Sequence, residues 1–195
     1  KFLQDNLVKL LMGCPEDNMA SLLLEIISLM GKRWVQREWP QLVPALAENL
    51  QSPETRNVKR ALEAIKKICK KYRFMFRSDA LFTEMNYMIE QLSPALLQNL
   101  VNATSQLAQP GLDKDSTEAL LTICNCDLHI MESVLSQEEL PDFYEDNLPT
   151  ITQACTYILT TDFPQLEKAD ALHKARAKVV RLVHLYQFKF REYFG

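Results

Sequence analysis

The fold is decided by one stretch, Ser52-Pro53-Glu54-Thr55-Arg56-Asn57-Val58-Lys59-Arg60-Ala61-Leu62-Glu63-Ala64-Ile65-Lys66-Lys67-Ile68-Cys69-Lys70-Lys71-Tyr72-Arg73-Phe74-Met75-Phe76. Within it Val58, Leu62, Ile65, Cys69, Tyr72 and Phe76 recur at the three- and four-residue spacing that places side chains on one helix face. Ser52 supplies a cap and Pro53 a first-turn proline, so the pattern predicts a helix over residues 54–76. Lys59, Lys66, Lys67, Lys70, Lys71 and Arg73 fall opposite or beside the apolar stripe and form one cationic face. Such a helix buries its apolar side against other helices and leaves its basic side for water or an acidic partner.

The same period extends in both directions. Upstream, Leu22, Leu23, Ile26 and Met30 line one face of a helix that Gly31 is placed to end. Trp39-Pro40-Gln41-Leu42-Val43-Pro44-Ala45-Leu46 opens a shorter helix whose prolines fit its first turn and whose stripe reaches Leu50. Downstream, residues 78–109 form a helical stretch in which Ser93-Pro94 predicts a kink or break, and Gln109-Pro110-Gly111 ends it. Asp115 with Glu118 reads as a capping box before Leu120, Leu121, Cys124, Leu128, Met131 and Leu135. Pro141 opens a helix carrying Tyr144, Leu148, Ile151, Cys155 and Ile158, and the last helix carries Leu172, Val179, Val183, Tyr186 and Phe190.

Only four glycines and no β-branched alternation leave no convincing strand, so the expected class is all-α. Pairing neighbouring helices gives about four helical hairpins, at residues 1–33, 40–77, 79–137 and 141–194. Their spacing suits a right-handed α-α superhelix, a solenoid of the HEAT or armadillo type, in one continuous segment. A closed helical bundle buries one stripe per helix equally well and stays open on periodicity alone.

At 195 residues, 47% hydrophobic and 24% charged, the chain has the profile of a folded protein and not of a disordered one. A compact chain of this length hides about 70% of its unfolded surface, so neither a metal nor a disulfide is required to hold it together. No apolar run exceeds three residues, as at Leu22-Leu23-Leu24, far below the ~20 that a membrane-spanning helix needs. The opening Lys1-Phe2-Leu3-Gln4-Asp5 has neither an initiator Met nor the order of a signal peptide, and reads as the start of an excised segment. Five cysteines is an odd number, and Cys69, Cys124, Cys126 and Cys155 sit in apolar helical patterns where a thiol behaves as a small hydrophobe. This predicts a reducing compartment, cytosol or nucleus.

The net charge of −3 conceals segregation. Residues 56–77 carry net +8, residues 78–167 net −14, and the last 28 residues net +5. The basic block points to an acidic partner; the competing reading is a solvated helix face lying against an acidic neighbour. Nucleic acid is disfavoured, because the pI is 5.7, no glycine-rich phosphate loop is present, and Tyr72, Phe74 and Phe76 are assigned to the packing side.

Catalytic and metal chemistry finds no constellation. Cys124 and Cys126 point about 200° apart on a helix and cannot converge on one metal with His129. His173 and His184 stand alone, and no GxGxxG, P-loop, HExxH or CxxC occurs. Glu138-Glu139 and the set Asp142, Glu145 and Asp146 could pass for hydrolase carboxylates, but acids at the start of a helix after Pro141 are explained by the helix dipole. The expectation is no catalytic residue, no metal and no cofactor.

Three separated elements carry a resemblance: Arg37-Glu38-Trp39-Pro40-Gln41-Leu42; Lys70-Lys71-Tyr72-Arg73-Phe74-Met75-Phe76-Arg77-Ser78-Asp79-Ala80-Leu81-Phe82-Thr83-Glu84; and Leu140-Pro141-Asp142-Phe143-Tyr144-Glu145-Asp146-Asn147. In this order, with helices between them, they resemble the amino-terminal part of the exportin-2 (CAS) family of importin-α re-exporters, in the importin-β (karyopherin) superfamily. The Trp-Pro element recurs across karyopherins, whereas its combination with the Leu-Pro-Asp-Phe-Tyr-Glu-Asp-Asn element is much narrower.

The resemblance implies a non-enzymatic transport receptor of HEAT repeats. It would bind RanGTP with importin-α in the nucleus, release both in the cytoplasm, shuttle between nucleus and cytoplasm, and meet nucleoporins. It implies no membrane insertion. The basic helix would be the second helix of its hairpin, facing into the arch. Position and charge, not a carried-over motif, make Lys59, Lys66, Lys70 and Arg73 the partner-binding candidates. Trp39, Pro40, Tyr72, Pro141 and Phe143 are expected to be aromatic anchors and helix starts. Family members are several times longer, so the first repeat and the carboxy-terminal arch would be missing. An importing karyopherin and a HEAT scaffold outside transport remain the alternatives.

Overall fold

The computed structural model describes residues 2–34, 38–76, 78–137, 141–166 and 170–189. Among them every regular element is helical: α1 (Phe2–Gly13), α2 (Asp17–Trp34), α3 (Leu42–Leu50), α4 (Thr55–Cys69), α5 (Asp79–Leu107), α6 (Lys114–Val134), α7 (Asp142–Asp146), α8 (Leu148–Thr160) and α9 (Asp170–Lys189). Single 3₁₀ turns follow α4 at Lys70–Arg73 and precede α9 at Pro164–Leu166. The chain divides into two compact units, residues 1–95 and 96–195.

In the first unit α4 touches α1, α2 and α3. The hairpins α1/α2 and α3/α4 stack with first helix beside first helix and second beside second. The predicted stripe Val58, Leu62, Ile65, Cys69 and Tyr72 is buried, and Ala61, Ala64 and Ile68 are buried with it, because α4 has a helix on more than one side. The regular helix is shorter than the expected 54–76. Glu54 is the N-cap, Ser52 Oγ accepts the Glu54 N–H in the turn before it, and the helix tightens into 3₁₀ geometry after Cys69.

Helix α2 departs from its expected face and its expected end. Ala20, Ile27, Ser28 and Gly31 are the buried positions, while Leu22 and Ile26 are exposed and Leu23 and Met30 half-buried. This helix is apolar on several sides, so periodicity fits more than one stripe; packing against α4 selects the one with small residues. Gly31 does not end the helix, which runs to Trp34. A Cβ there would lie 2.9 Å from Ile68 Cδ1 and 3.1 Å from Leu42 Cδ2, so the glycine permits the close approach of α2 to its neighbours.

Pro94 lies inside α5 without breaking it. The missing N–H leaves the Glu90 carbonyl without its helical donor, but Glu90 and Pro94 are both exposed, so water can serve that carbonyl. Leu92, Ala95 and Leu96 keep the helix packed on either side of the proline. The helix ends as expected ahead of Gln109-Pro110-Gly111, where Gly111 takes a φ of 86°.

In the second unit α6 lies against α9, α8 pairs with α9, and α7 abuts α8. The cap of α6 is Asp113, two residues before the expected Asp115: its Oδ1 accepts the Ser116 N–H at 2.7 Å, and that bond holds its carboxyl below the usual range. Pro141 caps α7 as expected, but Tyr144 and Ile151 belong to two helices and not one. Pro149 cannot donate back to Glu145, so the chain re-starts at Asn147 and the proline sits in the first turn of α8. In α9 the buried stripe is Leu172, Ala175, Val179, Leu182 and Tyr186; Val183 is exposed, displaced by Leu182, and Phe190 lies outside the described residues.

Candidate functional site

The basic face of α4 resolves into two stripes with different work to do. Arg60, Lys67 and Lys71 face the neighbouring helices. Arg60 is buried and donates from one guanidinium nitrogen to the carbonyls of Leu11 at 2.8 Å and Cys14 at 2.6 Å, closing the C-terminal end of α1. Lys67 meets Glu25 of α2 at 2.7 Å, and this pairing lowers the Glu25 pKa. Lys71 donates to the Lys32 carbonyl at 2.8 Å and pairs with Glu84 of α5 at 2.5 Å, while the Tyr72 hydroxyl donates to the same carboxylate at 2.8 Å. Burial pushes the Tyr72 hydroxyl far up and the Cys69 thiol to about 12, so both stay protonated. Lys67 and Lys71, counted in one cationic face on the helical wheel, are therefore staples between helices.

The second stripe is Lys59, Glu63, Lys66, Lys70 and Arg73, at intervals of four, three, four and three residues along α4 and its 3₁₀ extension. Lys59, Glu63, Lys66 and Arg73 are half-buried and Lys70 is exposed. Lys66 pairs with Glu63 at 2.5 Å, and among the described residues neither Lys59 nor Lys70 carries an ion pair. All four predicted contact residues thus share one line, with charge available to an acidic partner at both ends of α4.

Sequence reasoning missed the segment beyond this stripe. Phe74 and Phe76, assigned to the packing side, are 75% and 95% exposed, and Met75 between them is 44% exposed. The apolar spacing runs on to Phe76, but Ser78-Asp79 signals a new helix start two residues later, and that is the signal that marks residues 74–76 as a connection. Trp39 and Tyr72 are buried, Phe143 packs edge-on against buried Tyr144 at 5.4 Å, and Pro141 caps α7: these residues of the quoted motifs serve the fold.

Elsewhere, an open groove of about 780 Å³ between α1 and α3 is floored by Trp39 and lined by Val8, Met12, Pro44 and Ala45, with Lys9 and Glu48 at its edge. Nothing in that lining pairs a nucleophile with a base. Cys69, Cys124, Cys126 and Cys155 are buried and Cys14 is half-buried, all as free thiols. Among the described residues no three His, Cys, Asp or Glu side chains converge to hold a metal. Glu138-Glu139 lies outside the described residues; Asp142, Glu145 and Asp146 are exposed around the short helix α7. No described helix is long and apolar enough to cross a membrane.

Comparison with known proteins adds the context of this face. A family model described as Cse1 matches residues 68–195. The chain is 29% identical over 180 residues to exportin-2 of Drosophila melanogaster, covering 88% of this chain and 18% of that protein. It is 25% identical over 174 residues to the importin-alpha re-exporter of Schizosaccharomyces pombe, and 26% identical over 194 residues to exportin-2 of Homo sapiens. Those matches cover 87% and 97% of this chain but 18% and 20% of the relatives, so the chain spans about a fifth of their length. A solved structure of the exportin Cse1 in its cargo-free, cytoplasmic state superposes with a TM-score of 0.90 at 25% identity, over 100% of this chain and 21% of that one. The likeness fixes the fold class as an all-α, HEAT-type solenoid segment.

Proposed function

The chain belongs to the Cse1 family, and from that premise we propose that it is a segment of a nuclear export receptor that binds RanGTP and importin-α and returns importin-α from nucleus to cytoplasm. The observation that carries the reading is the agreement between the family match over residues 68–195 and relatives named as exportin-2 and importin-alpha re-exporter that align with nearly the whole chain. In this reading the protein works by association alone, without catalysis, a metal or a cofactor. It shuttles through the nuclear pore, meets nucleoporins on the way, and engages neither nucleic acid nor membrane. The hairpins at 1–33, 40–77, 79–137 and 141–194 are its successive repeats.

Lys59, Lys66, Lys70 and Arg73 are proposed as partner contacts. A row of cations that reaches solvent speeds encounter with an acidic surface and sets orientation, and its effect fades with salt. The test is charge reversal: Lys59→Glu/Lys70→Glu in the full-length protein, read as the affinity for RanGTP at low and moderate salt. The reading predicts a loss of about tenfold or more at low salt, shrinking as salt rises. An unchanged affinity at both salts contradicts the assignment of these residues.

A further inference from the structure

The connection between α4 and α5 presents apolar side chains to water while its base is held firmly. Phe76 is 95% exposed and Phe74 75%, with Met75 between them at 44%. Immediately before them Tyr72 is fully buried and donates to Glu84, Lys71 is fixed to Glu84 and to the Lys32 carbonyl, and the Phe74 N–H donates to the Lys71 carbonyl at 3.0 Å. A tip built on so many fixed points stays presented to solvent, so an occupant would not have to order it first. Large apolar side chains exposed within one short segment mark an interaction surface more often than scattered single ones do.

The cationic stripe leads up to this tip. From Lys59 to Lys70 it runs eleven residues along α4, roughly 17 Å at helical rise. We propose that Phe74 and Phe76 are the apolar anchor, and Lys59, Lys66, Lys70 and Arg73 the charged track, of one docking surface for an acidic segment of a protein partner that carries apolar side chains at one end. The layout favours a polypeptide over a lipid surface. A membrane-inserting tip has its cations ringed about it in one plane at headgroup depth, whereas here they trail away along the helix axis. Glu63, the one acid on the track, is already paired with Lys66 and does not repel an incoming carboxylate at full strength.

This inference rests on reading the stripe as a partner face, and its test is separate from the test of that reading. The probe is a fluorescent 15-residue peptide of Glu with a Leu-Leu pair at one end, titrated into the chain and into two variants, Phe74→Ser/Phe76→Ser and Lys59→Ser/Lys70→Ser. The phenylalanines are exposed, so the first variant keeps the helical signal and melting profile of the parent. Binding should weaken about tenfold or more in each variant, and by a similar factor when the peptide's Glu residues become Gln. Equal affinity in the phenylalanine variant overturns the anchor. No peptide binding, with sedimentation of the parent chain on phosphatidylserine vesicles that the same variant loses, overturns the polypeptide in favour of a membrane. RanGTP binding that responds to the lysines but not to the phenylalanines sinks this inference and leaves the proposed function standing.

Discussion

Lys178 Nζ of α9 lies 2.7 Å from Glu132 Oε2 of α6, and both side chains are buried, 11% and 7% exposed. The pair ties the two helices that share the most extensive contact of the second unit. Both charges have largely left water, so removing one takes away the charge that offsets its partner's burial. Lys178→Met is expected to lower unfolding stability by about 3–5 kcal/mol, and the double change Lys178→Met/Glu132→Leu to recover most of that loss. Urea melts of the two variants beside the parent measure both.

Asp127 is the buried acid with the opposite problem. It is fully buried, neither carboxylate oxygen has a hydrogen-bond partner, and burial raises its pKa well above the usual value. A carboxyl whose folded pKa is raised contributes fully below its unfolded pKa, about 3.9, and loses that contribution as pH rises towards the folded value. Stability is therefore expected to fall as pH climbs above 4. Asp127→Asn, uncharged throughout, should flatten this slope, and melting temperatures across pH 4 to 8 decide the matter.

Gly31 permits a close approach in which any larger residue would force Ile68 and Leu42 to shift. Gly31→Val would press a branched side chain against Ile68 and Leu42 and should destabilise by about 1–3 kcal/mol. The valine is a better helix former than glycine by a few tenths of a kcal/mol, too little to compensate. Thermal unfolding of the variant, with an unchanged melting temperature as the contrary result, tests the close approach.

The thiols offer a readout of native packing. Cys69 and Cys155 are pushed up to about 12 by burial, Cys124 is raised well above the usual thiol value for the same reason, and Cys126 is equally hidden, whereas Cys14 is half-buried. At pH 8 a thiol reagent should label one cysteine quickly in the folded protein and all five in urea. Fast labelling of a second thiol in native buffer would contradict the packing of α4, α6 or α8.

The amphipathic period was enough to read α4, α6 and the overall helical class, because each of these helices has a clear stripe: Val58, Leu62 and Ile65 in one, Leu121, Cys124 and Leu128 in another. It was not enough for α2, where apolar side chains on several sides left the choice of face to Gly31 and its neighbours across the interface. The two internal prolines act differently. Pro94 stays inside α5, where it and Glu90 are both exposed, while Pro149 divided a segment that periodicity joined.

The candidate site was legible as charge but not as geometry. A helical wheel cannot know that Glu25 and Glu84 wait on adjacent helices, so it merged the staples Lys67 and Lys71 with the open positions Lys59 and Lys70. It extended the helix through Phe74 and Phe76 for the same reason: only the buried Tyr72 and its bond to Glu84 show where the packing stops.

The central claim is that this chain serves an importin-α re-exporter. Calorimetry of importin-α binding to the full-length protein, with Ran carrying a non-hydrolysable GTP analogue and then GDP, tests it most directly. Tight importin-α binding with the GTP form alone is the predicted result. Binding indifferent to the nucleotide, or lost on adding RanGTP, would contradict the account and place the chain in an importer or in a scaffold outside transport.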